Sequence, residues 1–194
     1  MDTQERYGAR YHTGDINLAA ALMACGVHLD PLAPVRLIES EAIGRDYASF
    51  RLFDITADGL DSTGRLMSAW SKVEPLPAHH PFEIISRFVA GKPREIRHTN
   101  DLLDYAIDWL RADGINPPCS SLADIPDLCR KFPQSVESYI LGFVYNRETC
   151  FKLCQQARRE VHQFSKDGNR ERQTLIDTRL PRWQRNELLS RLQG

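Results

Sequence analysis

The sequence predicts an α+β fold dominated by helices, with a small N-terminal helix-plus-hairpin unit and a helical C-terminal unit that ends in a basic segment. Three observations carry this prediction. Two β-compatible runs, Pro34–Ser40 and Tyr47–Asp54, stand close together in the first third of the chain. Beyond Pro81 the apolar residues recur at helical rather than alternating spacing. Between the two patterns, Glu74–Pro81 carries three prolines in eight residues. The expected organisation is therefore an α+β unit at 1–74, a proline-rich linker at 75–81 and a mainly helical unit at 82–194.

The first helix is expected to open at Thr13-Gly14-Asp15, with Thr13 capping free amides, Asp15 complementing the positive end of the helix dipole and Gly26 as the stop. Ile16, Ala19, Ala20, Met23 and Ala24 repeat at helical spacing. Leu18, Ala21, Leu22 and Cys25 fill much of the other side, which predicts a helix covered by neighbours. The two strands follow as an antiparallel hairpin joined by Glu41–Asp46, and in the second of them Ala48, Phe50 and Leu52 alternate with Tyr47, Ser49 and Arg51. After a loop at Ile55–Gly64, a short helix at Arg65–Val73 is expected to dock Leu66, Met67 and Trp70 on this unit.

In the C-terminal part, Phe82–Gly91 offers Phe82, Ile85, Phe88 and Val89 as one face. The run Thr99–Gly114 has Thr99 or Asn100 as its cap, Leu102, Leu103, Ala106, Ile107 and Leu110 as its stripe, and Gly114 as its end. Asn116–Pro133 is a connector with a turn or two of helix. Ser135–Glu160 is the longest helical pattern, built on Val136, Tyr139, Ile140, Phe143 and Val144, and Gly142 and Asn146 are points at which it could break in two. Beyond it, Asp167-Gly168 is a tight-turn dipeptide. The flanking segments 160–164 and 173–177 favour a basic β-hairpin over continuation of the helix through Val161 and Phe164. Pro181 then opens a final helix anchored by Trp183, Leu188, Leu189 and Leu192.

Tyr11, Thr13 and Asp15, followed by Leu18, Ala19, Ala20, Leu22 and Gly26, form a Tyr-x-Thr-x-Asp opening that runs into a Leu-Ala-Ala-x-Leu helix. This first quarter of the chain resembles small uncharacterised domains scattered through bacterial and phage genomes. The resemblance implies a bacterial or mobile-element origin and no activity.

Composition narrows the function classes. With 42% hydrophobic and 26% charged residues the chain matches an ordinary globular protein rather than a disordered or fibrous one. Ile16–Val27, the longest apolar run, is too short to span a bilayer, and the charged N-terminus lacks the apolar core of an export signal. Five cysteines, an odd number, suit a reducing compartment, so a cytoplasmic protein without membrane association is expected.

Catalytic and cofactor chemistry finds no anchor. The glycines are dispersed, no phosphate-loop triplet occurs, and Ser120 and Ser121 lack a nucleophile elbow. Cys119, Cys129, Cys150 and Cys154 make the sharpest metal candidate, with Cys150 and Cys154 on one helix face, but their intervals match no zinc or iron–sulfur spacing. They are expected to be core cysteines. His79 and His80 read as solvated imidazoles in a linker, and Asp54, Asp58 and Asp61 lack the calcium-loop spacing. No catalytic residue, metal or cofactor is assigned.

Charge is the distinctive feature. The net charge is −1, yet residues 155–194 hold nine basic and five acidic side chains, leaving sixteen basic and twenty-one acidic in residues 1–154. An acidic body thus carries a basic end, the pattern expected of a protein that meets a polyanion or an acidic partner, or that clasps its own acidic body. Arg158, Arg159, Lys166, Arg170, Arg172, Arg179, Arg182 and Arg185 are the candidate contacts to nucleic acid or a nucleoprotein, with Trp183 available for stacking. The competing expectation is a protein-interaction module, an inhibitor or adaptor, using Trp183 and Leu189. A metal-dependent hydrolase built from His79, His80, the Asp54–Asp61 loop and the cysteines comes third.

Overall fold

The structure, a computed structural model, describes residues 10–30, 33–38, 47–53, 63–73 and 75–166. Among these the element order is β1 (Arg10–Thr13), α1 (Ile16–Ala24), β2 (His28–Leu29), β3 (Val35–Ile38), β4 (Tyr47–Phe53), α2 (Thr63–Trp70), α3 (Pro81–Gly91), α4 (Thr99–Ala112), α5 (Ile125–Lys131) and α6 (Val136–Lys166). The fold is α+β and helix-dominated, as the sequence predicts, and among the described residues the strands lie in the N-terminal part.

The expected hairpin strands pair antiparallel, with Val35 opposite Phe50 and Ile38 opposite Tyr47. Two further strands enter the sheet. β1 pairs with β4 from Arg10 opposite Phe53 to Thr13 opposite Phe50, and β2 sets His28 opposite Phe53 and Leu29 opposite Leu52. Because Phe50, Leu52 and Phe53 are paired twice, β1 must lie on one edge of β4 while β2 and β3 share the other. β4 is therefore the central strand, and both rows of its backbone groups are satisfied. Strands of four and two residues are too short to show a period, so nothing in their own residues announces them.

Asp15, rather than Thr13, caps α1: its Oδ1 accepts from the amides of Asn17 (2.8 Å) and Leu18 (3.3 Å). Thr13 Oγ1 instead accepts from the Asp15 amide at 3.1 Å, setting the turn before the cap. The second Asp15 oxygen accepts from Trp70 Nε1 at 3.1 Å, tying α2 to the start of α1. At the other end Gly26 takes φ +90°, the left-handed conformation that a glycine stop supplies.

Two apolar clusters form the core. The larger gathers Leu18, Leu22 and Leu52 with Leu66, Phe82, Ile85, Phe88, Leu102, Leu110, Ile140 and Phe143, so residues before and after Glu74–Pro81 share it. Within that proline-rich stretch Leu76 is buried in the core and His80 is the N-cap of α3, its Nδ1 accepting from the Phe82 amide at 3.1 Å. The smaller cluster joins Ala19, Val35, Leu37 and Phe50 to Cys150, Leu153, Cys154 and Ala157, which places the middle of α6 against the sheet. α1 stands between the clusters, contributing Ala19 to one and Leu18, Ala20, Ala21 and Leu22 to the other. Ala19, Ala20 and Ala21 are fully buried, in line with the expectation of a covered helix.

In α4 the expected stripe is buried, but its cap is His98, which makes no capping side-chain hydrogen bond. Thr99 is not the cap: its hydroxyl donates to Glu148 Oε2 on α6 at 2.5 Å. α6 runs unbroken for 31 residues, so neither Gly142 nor Asn146 divides it. Gly142 is a packing position instead: a Cβ there would lie 3.6 Å from Cys129 Sγ and 4.0 Å from Ala24 Cβ, where α1 and α5 close on α6. The predicted first arm of the basic hairpin is also corrected, since Val161–Phe164 are helical and α6 continues to Lys166. The helix, already propagating, adds one hydrogen bond per residue, while a hairpin would need a new nucleus. The second arm lies outside the described residues.

Candidate functional site

Of the candidate basic residues, the described structure places Arg158 and Arg159, both exposed near the end of α6, and Lys166 as its last residue. Neither Arg158 nor Arg159 makes an ion pair with another described residue. Arg170, Arg172, Arg179, Arg182, Trp183 and Arg185, and Leu189 with them, lie outside the described residues. Helical spacing orders those that remain. Positions 152, 159 and 166 fall seven apart, one row on the same side of α6, about 10 Å between successive members along the axis. Lys152 and Arg159 are both exposed.

That row leads back into two adjoining clefts along α6. The first, about 290 Å³, is lined by Arg97, His98 and Thr99 at the start of α4, and by Arg147, Glu148 and Phe151 on α6. The second, about 450 Å³, is lined by Tyr145, Glu148, Thr149, Lys152 and Gln156 of α6. Leu122 and Glu148 belong to both walls. Leu122 is held there by the turn before α5. The Asp124 carboxylate accepts from the Ser121 hydroxyl and amide, both at 2.9 Å, and from the Ser120 amide at 3.2 Å. Those bonds, the Ser121 hydroxyl first, hold the Asp124 carboxyl below its usual range.

The electrostatics of the clefts are mostly positive. Arg97, Arg147 and Lys152 face one carboxylate, Glu148, which is already engaged by Thr99 and, at 3.4 Å, by Lys152. Arg147 is half-buried and its Nε donates to Asn17 Oδ1 at 3.1 Å, a bond that fixes the side chain against α1. Burial lowers its guanidinium pKa, opposed by the charge of Glu148. Lys92 beside it is lowered first by burial and then by the Arg147 charge. Its ammonium donates to the carbonyls of Pro93 (3.2 Å) and Ile96 (3.0 Å), which secures the approach to α4.

Two aromatic rings stand open in this positive setting. Tyr145 is 39% exposed and Phe151 46% exposed, whereas Ile140, Phe143, Val144 and Leu153 of the same helix are buried. None of Arg97, Arg147, Lys152, Tyr145 and Phe151 is among the residues nominated from sequence. A signal for the two aromatics was present: both stand outside the set Val136, Tyr139, Ile140, Phe143 and Val144 that marks the covered face. Arg97 and Arg147 come together only through the packing of α4 on α6.

The remaining chemical candidates separate. Cys150 and Cys154 are buried in the smaller cluster, with the Cys150 thiol 3.6 Å from Met23 Sδ. Cys129 donates to the Ser138 carbonyl at 3.5 Å and Cys119 to that of Ser121 at 3.3 Å. All five cysteines are free thiols. His79 is exposed, His80 is spent on its cap, and the Asp54–Asp61 loop lies outside the described residues. Among the described residues no group of three or more His, Cys, Asp or Glu side chains is placed to hold a metal ion, and no helix is long and apolar enough to cross a membrane. No family model, curated protein or solved structure matches the chain.

Proposed function

We propose that this is a non-enzymatic binding or regulatory protein, of mobile-element origin as its N-terminal resemblance implies, that engages nucleic acid or a nucleoprotein through the basic surface of its C-terminal part. The observation that carries the reading is the exposed pair Arg158 and Arg159. They stand free of described carboxylates on α6, in the stretch 155–194 that holds nine basic side chains in sequence. An acidic body with a basic end orients an approaching polyanion, turning the C-terminal part of the chain toward it. Each phosphate neutralised releases counterions, so affinity falls steeply with salt.

Fluorescence anisotropy with labelled DNA and RNA across a salt titration tests this. Binding at low salt is expected, with a log–log salt slope that flattens by roughly 1.5 to 2 when Arg170 and Arg172 are both replaced by alanine. Absence of binding to every nucleic acid even at low salt would reject the reading in favour of a protein partner. For that second reading the supporting observation is the pair of exposed apolar side chains Phe132 and Val73, which are 47% and 77% accessible.

A further inference from the structure

We infer that the nucleic acid is single-stranded and lies along the twin clefts of α6, its bases stacking on Phe151 and Tyr145. The inference rests on the nucleic-acid reading above and extends the contact surface from the basic end into the body of the protein. A positive groove interleaved with open aromatic rings is what a single strand requires, because its phosphates seek cations while its unpaired bases present π-faces that any aromatic ring can stack upon. A duplex keeps those faces inside. It is read by a helix or ribbon that protrudes into its groove, and two concave clefts of about 290 and 450 Å³ offer the opposite shape.

The placement of the groups fits such a strand. Phe151 opens on the cleft that holds Arg97 and Arg147, and Tyr145 on the cleft that holds Lys152. The two rings are six residues apart on one helix, about 9 Å along its axis, a step that an unstacked strand can span. Arg97 is exposed and makes no ion pair with a described residue, so its guanidinium is open to a phosphate. Arg147 is already fixed by Asn17, and ordering it costs little on binding. From Lys152 the row continues to Arg159, exposed seven positions further along the same side of α6, which gives the strand a second cation beyond the clefts.

The experiment compares a labelled single-stranded oligonucleotide with a duplex of equal length, using the full chain and low salt. The single strand is expected to bind more tightly. Phe151→Ala and Tyr145→Ala are each expected to weaken it about tenfold at unchanged salt slope, since stacking on one ring contributes on that scale. Phe151→Tyr should restore binding, while Arg97→Ala should lower both affinity and salt slope. Both aromatic side chains are exposed, and thermal melts confirm that each variant is folded; Phe151→Tyr and Arg97→Ala remain informative if an alanine variant is not. Equal or tighter binding of the duplex, or an aromatic double variant that binds like the parent, overturns the single-strand inference while the broader reading stands. Failure of both nucleic acids to bind overturns the broader reading as well.

Discussion

Cys150 illustrates how a single side chain reports its surroundings. It is fully buried, and burial first, with Cys154 next, pushes its thiol from 9.0 up to about 12. The folded state therefore keeps a proton that the unfolded chain releases. The resulting stability is complete below about pH 9 and is lost as pH rises from there toward about 12. Urea unfolding followed over that range should show stability falling by up to about 1.4 kcal/mol per pH unit from this one group. The decline should be shallower in Cys150→Ala. Identical pH dependence in parent and variant would contradict this. The same burial explains the fate of the four-cysteine metal candidate. Residue type alone allows thiols to be ligands or core, and only packing assigns Cys150 and Cys154 to the apolar cluster against the sheet.

The helices show which local signals survive folding. Periodicity identified the buried faces of α3, α4 and the first half of α6 because an apolar stripe has one low-energy destination, the core. By contrast, α1 is buried all round from Leu18 to Leu22 rather than along the stripe that includes Ile16, Met23 and Ala24. Caps were less legible. Asp15 and Thr13 are both good cap residues, and the tertiary bond from Trp70 to Asp15 is part of the arrangement adopted. Asp15→Ala removes the acceptor of two amides and that indole bond together. It should destabilise the protein by about 1 to 2 kcal/mol and alter Trp70 fluorescence, whereas Thr13→Ala should cost less; equal losses in urea melts would argue against the assignment. Gly142 was misread for a related reason. A glycine in a helical pattern reads as a break, yet Gly142 sits inside a continuous helix, facing Cys129 and Ala24 where α1 and α5 pack on α6, a setting that no window along one helix reveals.

At the scale of the molecule, the proline-rich stretch is a turn signal that says nothing about how much apolar surface crosses it. Leu22, Leu52 and Leu66 share one cluster with Phe82, Leu102 and Ile140, and α6 touches the sheet as well as its neighbouring helices. Breaking the contact on either side would expose the apolar faces of both, so the two sides are expected to unfold together. Far-UV circular dichroism and tryptophan fluorescence, with Trp70 before and Trp109 after the stretch, should give coincident urea transitions. Two separated midpoints would show independent units. The charge asymmetry belongs to this scale too, since it is a property of the last forty residues against the rest of the chain rather than of any pair of residues.

The sequence by itself determined the α+β class, the main helices, the β3–β4 pairing and the imbalance of charge, because composition and short-range period act through neighbours along the chain. Only the tertiary structure decided that β4 is central, that α6 runs unbroken past Phe164, and that Arg97, Arg147, Phe151 and Tyr145 line neighbouring clefts. These residues lie up to 54 positions apart. Their proximity comes from burying the apolar stripes of α4 and α6 against each other, a free-energy gain that depends on both surfaces at once and that neither segment encodes alone.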